Sequence, residues 1–189
     1  MDIQAIKQQV KAFETTNDRA KVYELLKEAW NRHKSSELAS LIVKQMIDYL
    51  LWLDMGSPQE KWEYDSYKAL LVDTVNYGSL NYLDDKLFLW LMVYYLSGYA
   101  TYYWLLDTPI ARKGFTEEVT EELVERAKQL FPNSLMFRVM PYILKSNPTW
   151  INSLSLTDRE TLKTELTELH LQDNSIDEEI KEWLGLKLL

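Results

Sequence analysis

The chain of 189 residues has no cysteine, so disulfides, thiolate metal sites and a cysteine nucleophile are all excluded. Its five glycines stand singly at 56, 78, 98, 114 and 185. A phosphate-cradling loop or a dinucleotide fingerprint needs glycines in a cluster, and neither exists here. Five glycines and five prolines are also too few for a sandwich or barrel that turns every ten or so residues. There are two histidines, His33 and His170, far apart and each near an expected helix C-terminus, where an imidazolium complements the helix dipole. No paired-histidine zinc helix and no G-x-S-x-G elbow is present, so we expect no metal, no cofactor and no catalysis.

What the chain does carry is 47% hydrophobic and 26% charged residues, the balance of one globular domain over residues 1–189. The formal charge of -8 repels nucleic acid and anionic lipid and attracts basic proteins. The first residues, MDIQAIKQQVKAF, lack the basic start and apolar block of an export signal, so a cytoplasmic location is the expectation.

Apolar residues recur at helical spacing along most of the chain. Val22, Leu25, Leu26, Ala29 and Trp30 line one face of a helix from Asn17, read as its N-cap, to His33. The following run places Leu38, Leu41, Ile42, Gln45, Tyr49 and Leu50 on one face and Val43, Ile47 and Leu51 on a second, so that helix is covered on more than one side. Ser57-Pro58 opens a further helix and Gly78 is expected to close it as a left-handed residue. A helix from Thr116 to Phe131 has Phe115, Val119, Leu123, Ala127 and Leu130 as its apolar stripe. Pro132-Asn133-Ser134 starts the next, which Pro141 must kink or divide. Thr157-x-x-Glu160 and Ser175-x-x-Glu178 read as capping boxes, and Gly185 ends the last helix. The total is about nine helices and no sheet.

Between Asp84-Asp85-Lys86 and Asp107-Thr108-Pro109 lies an uncharged stretch, Leu87 to Leu106, holding WLMVYYLSGYATYYW. Its length of roughly 30 Å as a helix would cross a bilayer. Tyrosines at mid-depth oppose that reading, and a core helix buried on several sides explains the missing charge, so we expect no membrane span. Tyr95, Tyr99, Tyr102 and Tyr103 cannot all enter one dry core, and some are expected to line a groove beside Trp90 or Trp104.

Two sites share an order of alanine, helix end, polar turn and new helix: Glu28 to Ser36 and Arg126 to Ser134. At the second, Ala127 precedes Pro132 by five positions, and Tyr99-Ala100-x-x-Tyr103 has a large-small-x-x-aromatic order. Over about residues 87–135 the chain resembles the tetratricopeptide-repeat family, with Lys34 in place of the proline at the first site and extra residues at 109–114. The resemblance implies an all-α fold of antiparallel helix pairs stacked into a superhelix, and a scaffold that binds other proteins.

The candidate partner-binding residues are therefore the acidic set Glu117, Glu118, Glu121, Glu122 and Glu125 and the aromatic set Tyr95, Tyr99, Tyr102 and Tyr103. Size, acidity and lack of chemistry match the profile of an immunity protein that neutralises a basic, nuclease-type toxin. The alternative is a helical domain that binds a small molecule or peptide, or an enzyme, with Asp84, Asp85 and nearby tyrosines lining a pocket. The simpler reading of Asp84-Asp85 is a helix N-cap.

Overall fold

The computed structural model describes residues 2–54, 61–98, 108, 117–144 and 154–168. Eight helices and no strand occur among the described residues: α1 (Ile3–Thr15), α2 (Arg19–Arg32), α3 (Ser36–Asp54), α4 (Lys61–Asn81), α5 (Lys86–Gly98), α6 (Glu117–Leu130), α7 (Leu135–Leu144) and α8 (Leu156–Glu168). The ninth expected helix, from Ser175 to Gly185, lies outside the described residues.

Helix α1 begins at Asp2, whose carboxylate accepts from the Gln4 N–H at 2.9 Å, and its Ile6 and Val10, one turn apart, enter the core. It ends in a Schellman turn: Asn17 N–H donates to Glu14 O and Asp18 N–H to Phe13 O, both at 2.9 Å. This geometry forces Asn17 to φ 54°, a left-handed value that asparagine tolerates better than most residues. Asn17 is thus not the N-cap of α2. That role falls to Asp18, which accepts from Lys21 N–H at 3.2 Å.

Helix α2 buries Val22, Tyr23, Leu26, Ala29 and Trp30, with Tyr23 on the core side and Leu25 only half-buried. His33 caps its C-terminus, donating N–H to Ala29 O. Three residues later the chain reverses into α3, which buries Leu38, Ile42, Gln45, Tyr49 and Leu50 of one expected face and Val43 and Ile47 of the other, while Leu41 and Leu51 are half-buried. Helices α2, α4 and α5 surround it.

The direction of α4 follows from its contacts with α2. Tyr23 meets Tyr67, and Trp30 meets Asp73, so both chains advance the same way and α2 and α4 are parallel. Helix α3, folded back from α2, is antiparallel to both.

Gly78 does not end α4. The helix runs on to Asn81, and the glycine is there for space, because an added Cβ would stand 2.2 Å from Phe88 Cζ. The Phe88 ring, fully buried, is also held edge-on against Tyr82 at 6.1 Å. Asp85 then caps α5 by accepting Phe88 N–H at 2.9 Å.

From Phe88 to Val93 six successive residues of α5 are buried, which a helix achieves only when it is packed on all sides. It lies against α3, α6 and α7. Burial thus accounts for the missing charge in the described part of the aromatic run; residues 99–107 lie outside it. No helix among the described residues is long and apolar enough to cross a membrane.

Helix α6 buries Leu123, Val124 and Ala127, while Leu130, expected in the stripe, is 42% exposed. The stripe therefore drifts toward Val124. Phe115 lies outside the described residues and the side chain of Val119 is not among them. Phe131 and Phe137 stack at 5.6 Å across the turn into α7, which continues unbroken through Pro141 to Leu144. The cap of α8 lies two residues before the expected box: Ser155 Oγ accepts Asp158 N–H at 3.1 Å, and the Asp158 carboxylate accepts Ser155 N–H at 3.3 Å. Buried apolar residues from Ile6 to Leu162 form one continuous core.

Candidate functional site

Helix α6 is two-faced because its buried residues, Leu123, Val124 and Ala127, leave Glu121, Glu122 and Glu125 on the solvent side, all exposed. Glu125 is engaged by Lys128, one turn on, at 2.6 Å. Arg126 reaches across to Asp84 in the α4–α5 turn and fixes α6 against that turn. Glu121 and Glu122 make no ion pair among the described residues, so their charge faces water. Glu117 and Glu118 extend the same helix backward by one turn, although their side chains lie outside the described set.

The aromatic half of the expected site is not brought into view. Tyr95 belongs to α5, with its side chain outside the described set, and Tyr99, Tyr102 and Tyr103 lie outside the described residues altogether. Trp90, expected beside a groove, is 2% exposed and stacks flat on Tyr94 at 5.2 Å. Asp84 and Asp85 are both occupied, one by Arg126 and one as a helix cap. No group of three or more histidine or acidic residues among the described residues is arranged to hold a metal.

Three constellations were not singled out from the sequence. The first is a cation lodged between rings. Lys34 Nζ lies 4.4 Å from the Tyr77 ring centre and 5.0 Å from that of Trp30, while Asp73 accepts Trp30 Nε1–H at 2.7 Å and stands 3.7 Å from Lys34. This locks the α2–α3 turn to α4. The lysine that departs from the repeat-like pattern therefore has a packing role of its own.

The second is Glu165 of α8, whose side chain is only 12% exposed. One oxygen accepts Met136 N–H at 2.8 Å and Ser134 Oγ–H at 3.2 Å; the other lies 3.4 Å from Lys86 Nζ. It caps α7 from another helix and ties both to α5. A lone glutamate within a polar run gives no signal of this in sequence.

The third is a row of tyrosines, Tyr23, Tyr67 and Tyr49, contributed by α2, α4 and α3, with ring centres 5.4 and 5.5 Å apart. Arg19 covers Tyr49 at 5.6 Å and Lys27 covers Tyr23 at 5.1 Å. The hydroxyls of Tyr49 and Tyr67 are buried with no hydrogen-bond partner. Burial pushes the Tyr67 phenol up to about 12 and the Tyr49 phenol higher still, so both stay protonated at neutral pH. A sequence signal did exist: Gln45 and Tyr49 are polar positions inside an apolar stripe.

Compared with protein-family models, curated proteins and solved structures, the chain finds no match. The functional reading therefore rests on these residues.

Proposed function

We propose that the protein is a non-catalytic, cytoplasmic helical binding protein that holds a basic protein partner on the acidic face of α6, in the manner of an immunity protein that neutralises a nuclease-type toxin. The observation that carries this reading is the pair Glu121 and Glu122, exposed and without ion pairs among the described residues on a helix whose opposite face is anchored in the core. A charge fixed on a rigid helix raises the rate at which a basic surface arrives, and in a chain of net charge -8 the whole field acts in the same direction. Asp84 and Asp85, the carboxylates a catalytic reading would use, are engaged in an ion pair and a cap, which favours binding over chemistry. Stacking of the helix pairs as in tetratricopeptide repeats would suit such a scaffold, and Tyr95, Tyr99, Tyr102 and Tyr103 would add aromatic area to the contact.

The test is retention of partners by the intact chain against a variant with Glu117, Glu118, Glu121, Glu122 and Glu125 changed to lysine. Circular dichroism first establishes that the variant keeps its helices. A basic protein bound by the wild type, released by salt, and bound at least about tenfold more weakly by the variant supports the proposal. Equal recovery of the same proteins by both chains removes it.

A further inference from the structure

We draw no further inference here: the strongest candidate, the side-chain cluster of Trp30, Tyr77 and Asp73 where the α2–α3 turn meets α4, is a cation site already filled by the chain's own Lys34, and nothing in the structure shows that ammonium leaving it to admit a ligand.

Discussion

Replacing Gly78 by alanine puts the packing of α4 on α5 to a quantitative test. In an exposed helix interior this change is favourable by about 1 kcal/mol, since glycine has the larger backbone entropy to lose. Here the new methyl would lie 2.2, 2.6 and 2.9 Å from three carbons of the Phe88 ring. To reach ordinary contact at 3.4 Å the ring must retreat by about 1.2 Å, and it is fully buried with Tyr82 edge-on beside it. Overpacking of this kind costs about 1–3 kcal/mol, and a displacement of the whole ring belongs at the upper end. The expected net effect is a loss of about 1–2 kcal/mol, read as a lower urea midpoint with unchanged slope. A double-mutant cycle with Phe88→Leu sharpens the result: trimming the ring makes room, so Gly78→Ala becomes less damaging in that background. If Gly78→Ala alone raises stability by about 1 kcal/mol, the close approach of Phe88 is wrong and the glycine is an ordinary helix position.

Glu165→Gln preserves shape but removes the charge that caps α7 and faces Lys86; a loss of about 1.5–3 kcal/mol is expected, with faster amide exchange at Met136 as the local readout. Alkaline titration tests the tyrosine row. An unfolded tyrosine ionises near 10, whereas burial holds Tyr67 neutral up to about 12, so its contribution is intact below about pH 10 and is lost between there and about pH 12 at about 1.4 kcal/mol per pH unit. Urea stability measured over that window should fall less steeply for Tyr67→Phe than for the wild type, and identical slopes would place Tyr67 in water.

The all-helical class was legible because periodicity acts over whole segments: α2, α3 and the described part of α5 bury the faces that their apolar spacing marks. Helix ends were read less well. Asn17 reads as a helix start in the sequence but lies in the turn that closes α1, and the α8 cap is Ser155 with Asp158 although Thr157-x-x-Glu160 is an equally valid pattern on paper. Several overlapping capping patterns fit such polar stretches, and the hydrogen bonds between Ser155 and Asp158 show which one is formed. The acidic face of α6 was legible from charge spacing alone, since Glu121, Glu122 and Glu125 are exposed wherever Leu123 and Ala127 are buried.

By itself, then, the sequence determined the helical class, the exclusion of thiolate and glycine-loop chemistry, and the two-faced character of α6, because each depends on residues within a few positions of one another. Only the tertiary structure decided that Gly78 makes room for Phe88, that Lys34 lies between Trp30 and Tyr77, that Glu165 caps α7, and that Tyr49 and Tyr67 meet with unsatisfied hydroxyls. Apart from Lys34 on Trp30, four positions away, those contacts join residues ten to forty or more positions apart along the chain. Their energies depend on distances of a few ångströms that no local pattern encodes, and they exist only once the helices have packed.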